Sequence, residues 1–108
     1  MTIYDIEYSP ESIRDLNDVF TDVLTASGSL EITHKYLDEL QDETESMVER
    51  PKTGTPLYYD EQFTGYYFVR FKEYLAFYRL EDTRMLVDRI LFRKCDYIRI
   101  LLGSKDNN

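Results

Sequence analysis

The sequence predicts an α+β domain: an N-terminal strand, an antiparallel two-helix hairpin, a three-strand antiparallel meander and a short C-terminal element, with the helices packed on one face of the sheet. Apolar residues recur at helical spacing between Ser9 and Glu49. From Tyr66 to Phe92 they fall instead into aromatic and β-branched runs of strand length. The polar breaks between those runs are short enough for hairpins. A run of helices followed by a run of strands is the signature of α+β organisation. With 108 residues the chain has the size of a single domain, 1–108.

Each element follows from local chemistry. Thr2 to Tyr8 reads as a strand, because Tyr4, Ile6 and Tyr8 share one face at period two. Ser9-Pro10-Glu11 reads as a helix start, with Ser9 as N-cap, Pro10 in the first turn and Glu11 near the positive end of the helix dipole. Ile13, Leu16, Phe20, Val23 and Leu24 form its apolar line, and Gly28 stops it. A second helix is expected from Ser29 or Leu30 to Glu49, lined by Thr33, Tyr36, Leu37, Leu40, Met47 and Val48. Arg50-Pro51 ends it, since the residue before proline is driven from helical backbone angles.

Lys52 to Pro56 reads as a loop. Three strands are expected at Tyr66–Phe71, Tyr74–Leu80 and Met85–Phe92, separated by Lys72-Glu73 and by Glu81–Arg84. Cys95 to Leu102 fits a short helix or a strand equally well. Residues 103–108 are polar and are expected to fray.

The net charge of −8 is unevenly spread. Met1 to Arg50 holds 13 acidic and 3 basic residues, whereas Phe63 to Arg99 holds 5 acidic and 8 basic ones. One half repels phosphate and the other tolerates it. The first residues lack the apolar stretch of a secretory signal, and no run is long enough to span a bilayer. The single Cys95 cannot form an internal disulfide, and one Cys with one His makes no zinc pattern. A cytoplasmic protein without membrane contact, metal or cofactor is expected.

At this level of detail the chain resembles a known family. Tyr4-x-Ile6-x-Tyr8-Ser9-Pro10, followed by Asp15-Leu16, looks like the N-terminal strand and first helix of RelE/ParE toxins. Arg50-Pro51-x-x-Gly54 and Gly65 stand where that family ends its helices and begins its sheet. Val69-Arg70, Tyr74-Leu-Ala-Phe-Tyr78-Arg79 and Val87 to Tyr97 resemble its successive strands and their exit. The resemblance implies the toxin of a bacterial type II toxin–antitoxin or plasmid stabilisation module, growth-inhibiting and neutralised by a cognate antitoxin. It leaves two targets open. RelE-like members cleave mRNA on the ribosome, and ParE-like members inhibit DNA gyrase without nuclease chemistry.

Cleavage of RNA without a metal needs a base, a cation for the charged phosphate and an acid for the leaving oxygen. By the resemblance, the residues for that work here are Arg70, Arg79 and Tyr97, with Lys72, Arg93 and Lys94 binding nucleic acid. Arg70 and Arg79 lie on neighbouring strands and are expected to converge on one phosphate. Against this, a strand arginine commonly just pairs with an acid across the sheet, and Tyr97 is one of ten tyrosines available for packing. The sequence also departs from the family: a last-strand histidine is missing, with Arg89 nearby, and Cys95 replaces an arginine before Asp96-Tyr97. Together with the acidic helices, these departures favour a ParE-like gyrase inhibitor. The alternatives are a RelE-like ribonuclease, or a degenerate member that retains only antitoxin binding. The tyrosine-rich edge strands are also compatible with a homodimer. The acidic second helix suggests an antitoxin segment bearing basic residues.

Overall fold

The computed structural model describes residues 2–103. In it, β1 (Asp5–Tyr8) leads into α1 (Pro10–Ser27) and α2 (Leu30–Glu45). Two short 3-10 turns, Ser46–Glu49 and Pro51–Thr53, then deliver the chain to β2 (Thr55–Tyr59), β3 (Gln62–Phe71), β4 (Tyr74–Glu81) and β5 (Arg84–Phe92). The five strands form one sheet in the order β1-β5-β4-β3-β2.

The helix ends form as the sequence predicts. The Ser9 hydroxyl accepts from the Ser12 amide at 2.9 Å, and also donates to the Asp88 carbonyl at 2.7 Å. The cap of α1 is thereby tied to β5. Gly28 adopts φ +68, and its amide closes on the Leu24 carbonyl at 2.8 Å. Ser29 caps α2 through the Ile32 amide at 3.1 Å. The hairpin packs on one sheet face through Leu16, Val19 and Leu40 against Tyr74, Ala76, Tyr78, Met85, Val87 and Ile90. Val19 takes the buried place, while Ile13, expected on the apolar line, is largely exposed.

Three expectations need correction. First, the meander has four strands, because Thr55–Tyr59 pairs with an extended β3. Gly54, Pro56 and a lone buried Leu57 disguise β2 as a loop. An edge strand tolerates a proline because one side of it needs no donors. Second, the sheet is mixed, since β1 runs parallel to β5, with Asp5 opposite Arg84 and Tyr8 opposite Val87. The helical hairpin is the crossover that a parallel neighbour requires. Third, α2 proper ends at Glu45 and tightens into a 3-10 turn up to Glu49.

The C-terminal ambiguity resolves as helical. The Asp96 side chain accepts from the Arg99 amide, and the segment closes as a π-helical turn, Arg99–Gly103. Gly103 therefore belongs to that turn, and the rest of the expected tail lies outside the described residues. This turn lies on the second sheet face, where Tyr97, Ile98 and Leu101 cover Leu57, Leu75, Phe77 and Leu91.

Candidate functional site

The second sheet face is the one that carries the arginines of β3 and β4. Strand periodicity puts Tyr66, Phe68 and Arg70 there with Leu75, Phe77 and Arg79. Arg70 and Arg79 thus share a face but not a place. Arg70 stands opposite Leu75, and Arg79 lies four residues further along β4, roughly 13 Å away at strand rise. The C-terminal turn covers the apolar patch between these two positions, with the Tyr97 ring 5.1 Å from that of Phe77. The expected convergence of Arg70 and Arg79 on one phosphate is not observed, because pairing of strands fixes neighbours across the sheet and not position along it.

Arg79 is held by acids. Its Nε donates to Asp88 Oδ2 at 2.7 Å, and Glu81 lies 3.7 Å from Nη1. The Tyr66 hydroxyl donates to the same Asp88 oxygen at 3.0 Å. A β-bulge supports this cluster: the β4–β5 register slips between Phe77 and Tyr78, which makes Asp88 the extra residue. The hydrogen bond to Asp88 raises the Arg79 pKa, and burial with the Asp88 charge raises that of Tyr66. Both groups hold their protons more tightly, which is the wrong direction for a general base.

The other sequence-predicted cations gather at the opposite end of the sheet. Tyr74 pairs with Phe92, so the β3–β4 turn and the exit of β5 lie side by side. They are joined by the Arg93 amide donating to the Glu73 carbonyl at 2.8 Å and by Arg93 Nε donating to Glu73 Oε1 at 2.9 Å. Arg70 Nε donates to the Lys72 carbonyl at 2.8 Å. The Lys72 ammonium sits 5.1 Å from the Tyr36 ring centre and 5.3 Å from that of Phe71. Arg70, Lys72, Arg93 and Lys94 therefore share one end of the sheet, with Arg70 on the second face and the Lys72 ammonium over Tyr36 on the helix face, whereas Arg79 and Tyr97 lie elsewhere.

Sequence reasoning missed the most deeply set ionic group. Asp15, on α1 and almost fully buried, accepts from Arg89 Nε at 2.8 Å, from Arg89 Nη2 at 3.0 Å and from the Ile90 amide at 2.9 Å. β1 ends at Tyr8, opposite Val87, so no strand covers that side of Arg89 and its side chain can reach α1. The hydrogen bond to Asp15 raises the Arg89 pKa. The only sequence signal was the place of Asp15 in the N-terminal pattern. Burial raises the Cys95 pKa, so its thiol is not activated by the neighbouring Arg93 and Lys94. His34 is exposed, with its ring 5.5 Å from Phe20.

Next to the cationic end lies an open groove of about 690 Å³. Val23, Ala26, Tyr36, Tyr74 and Phe92 form its apolar surface, and Asp22 and Glu73 rim it. The Tyr74 hydroxyl donates to Asp22 at 3.3 Å, and burial together with that carboxylate pushes its pKa up to about 12. Among the described residues, no cluster of His, Cys, Asp and Glu suits a metal ion, and no helix is long and apolar enough to cross a membrane.

Residues 6–97 match the family model described as the ParE toxin of the type II toxin–antitoxin system parDE. No curated protein sequence matches. Among solved structures, the chromosomal ParDE toxin–antitoxin system of P. aeruginosa is similar at a TM-score of 0.71 and 12% identity, covering 83% of this chain and 96% of that one. The toxin–antitoxin complex RelBE2 of Mycobacterium tuberculosis is similar at a TM-score of 0.57 and 20% identity, covering 85% and 100%. At these identities the structural likeness speaks for the fold.

Proposed function

Because the chain belongs to the ParE toxin family of type II toxin–antitoxin systems, we propose that it arrests growth by inhibiting DNA gyrase and is neutralised by a cognate antitoxin. The observation that carries the choice of target is the state of Arg79. It is tied to Asp88 and Glu81, and lies far along the sheet from Arg70. The alternative, a ribosome-dependent ribonuclease, requires Arg70, Arg79 and Tyr97 to act on one phosphate. A gyrase inhibitor needs a binding surface and no such convergence.

Expression of the chain alone in a bacterial host, with DNA and mRNA integrity read from the same culture, separates these readings. The expected result is DNA breakage with intact mRNA, together with loss of supercoiling by purified gyrase. Arg79→Ala should leave that toxicity in place, and should change stability by less than about 1 kcal/mol because the ion pair is partly exposed. Codon-boundary mRNA cleavage abolished by Arg79→Ala would establish the ribonuclease instead. Unimpaired growth with both nucleic acids intact would leave only antitoxin binding.

The antitoxin reading draws on the groove beside α1 and on charge. α1 and α2 together carry ten acidic and two basic residues, a net −8 equal to that of the whole chain. An amphipathic antitoxin segment would place apolar side chains on Val23, Tyr36 and Phe92, and basic ones toward the hairpin acids. Association with the purified antitoxin is expected to slow several-fold between about 50 and about 300 mM salt, because exposed charges are then screened. A salt-independent rate would remove the electrostatic part of the proposal.

A further inference from the structure

β3 is longer than the sheet that holds it. β4 pairs with it only from Tyr67 to Phe71, so among the described residues Gln62–Tyr66 has β2 as its one strand neighbour. The β2–β3 register slips between Pro56 and Tyr58, where a step of two residues along β2 answers a step of four along β3. Gly65 lies in the longer step at φ +92, and bulges of this kind bend and twist a strand. Tyr58 to Thr64 is therefore a two-stranded arm reaching past β4. Such hairpins are marginal in water on their own, and this one has two added disadvantages. Its turn holds Asp60 at φ +55 and Glu61 at φ +67, a left-handed pair that Asn-Gly adopts more cheaply. Its aromatic side chains also face solvent, with Tyr58 58% and Phe63 44% exposed. A strained turn that displays aromatic surface is the mark of a recognition element.

The arm is braced from within. The ring centres of Tyr58 and Phe63 are 5.8 Å apart, those of Phe63 and Tyr67 5.2 Å, and Tyr67 stacks at 5.7 Å on the buried Tyr78. This line of rings runs from the tip to the core along the helix face. The exposed pair is thus presented with little side-chain freedom left to lose on binding. Asp60 and Glu61 form no ion pair among the described residues, so the tip is both apolar and negative. That combination selects the occupant. Nucleic acid is repelled by the two carboxylates. A second copy joined tip to tip would bring four of them together, and Pro56 blunts strand-to-strand pairing along β2. The antitoxin groove is remote, since Phe63 lies roughly 25 Å along β3 from Phe71 at the groove end. What fits is a protein surface with an apolar cleft edged by lysines and arginines. An enzyme that grips DNA presents such cations to the phosphates.

We propose that the β2–β3 arm is the element that docks on gyrase, with Tyr58 and Phe63 entering an apolar cleft and Asp60 and Glu61 facing basic residues at its edge. The inference rests on the gyrase reading given above and adds to it the toxin's own contact surface. It also separates that surface from the groove assigned to the antitoxin.

The test measures binding of the labelled full chain to purified gyrase, inhibition of supercoiling, and affinity for the purified antitoxin. The combined variant Tyr58→Thr, Phe63→Thr keeps residues suited to strands and should lose more than about 20-fold in gyrase affinity and inhibition. Its antitoxin affinity should change less than about twofold, which also shows that it folds. A second variant, Asp60→Asn with Glu61→Gly, installs the favoured turn pair and removes both charges. It should melt no lower than the wild type, yet associate with gyrase several-fold more slowly at about 50 mM salt. A purely structural arm would predict the reverse, an unchanged or faster association. Ile32→Thr removes an equally exposed apolar side chain from α2 and should leave inhibition unchanged. The proposal is overturned if the Tyr58→Thr, Phe63→Thr chain inhibits gyrase as the wild type does. It is also overturned if antitoxin affinity falls in parallel, which makes the arm part of that interface, or if sedimentation shows a wild-type dimer that the variant breaks, which makes a second copy the occupant. A wild type that neither binds nor inhibits gyrase overturns the gyrase reading and this occupant together. That failure shows before any substitution is made, whereas failure of the arm alone leaves wild-type inhibition intact.

Discussion

Replacing Asp15 with alanine is expected to destabilise the protein by about 3 kcal/mol, the low end for breaking a buried charge pair. For a chain of this length that corresponds to a fall in melting temperature of about 13 °C. The size follows from what the carboxylate leaves behind. Its removal strands two guanidinium donors and the Ile90 amide, in a place where the Asp15 side chain is only 8% exposed. Each stranded buried donor costs about 1–3 kcal/mol, softened here because Arg89 can turn partly to water. Removing the other partner as well relieves the defect, so Asp15→Ala should cost at least about 1 kcal/mol less in an Arg89→Met background. Urea unfolding of the four chains in that cycle measures the coupling. Strictly additive costs would mean that the pair does not join α1 to β5 energetically.

The role of Asp15 shows where a sequence stops being readable. An aspartate in the middle of a helix whose neighbours are Arg14 and Asp18 looks like part of a solvated face. Its burial depends on β5 passing beneath α1 without a strand covering Arg89, which no local pattern encodes. Three of the four helix boundaries, by contrast, were legible, since Ser9-Pro10, Gly28 and Ser29 act within one turn of themselves, whereas α2 ends at Glu45, well before Pro51. The strands β3, β4 and β5 were legible in their cores because aromatic and β-branched runs mark them. β2 was not, because a five-residue edge strand with one buried side chain has almost no hydrophobic pattern to show.

The candidate site divides in the same way. The placing of Arg70 and Arg79 on neighbouring strands was readable, as were Lys72 in the break between them and Arg93 and Lys94 at the exit of the last strand. The separation of Arg70 from Arg79, and the capture of Arg79 by Asp88, depend on register and on a bulge in β5. Register is a property of two strands, so neither could be read from one.

The second large effect is expected at Gly54. Its backbone is extended, at φ −65 and ψ 172, so alanine meets no conformational objection there. The obstacle is space. A methyl group at this position would overlap the Tyr78 hydroxyl and come within 3.3 Å of the Phe68 carbonyl. Tyr78 is fully buried, its ring stacks on Tyr67 at 5.7 Å, and its hydroxyl donates to the Pro51 carbonyl. Burial accordingly pushes the Tyr78 pKa up to about 12. Because the ring cannot retreat, Gly54→Ala must either break the hydroxyl's hydrogen bond or push the Pro51–Thr55 segment outward and loosen β2. Either route costs about 2–3 kcal/mol, the range for overpacking or for a buried hydroxyl left without a partner. Tyr78→Phe removes the atom that collides and leaves room for much of the methyl group. In that background the cost of Gly54→Ala should fall by at least about 1 kcal/mol. If the two substitutions instead add, the close approach of Gly54 to Tyr78 does not restrain the path into β2, and the strain of Gly54→Ala must be relieved on the Phe68 side.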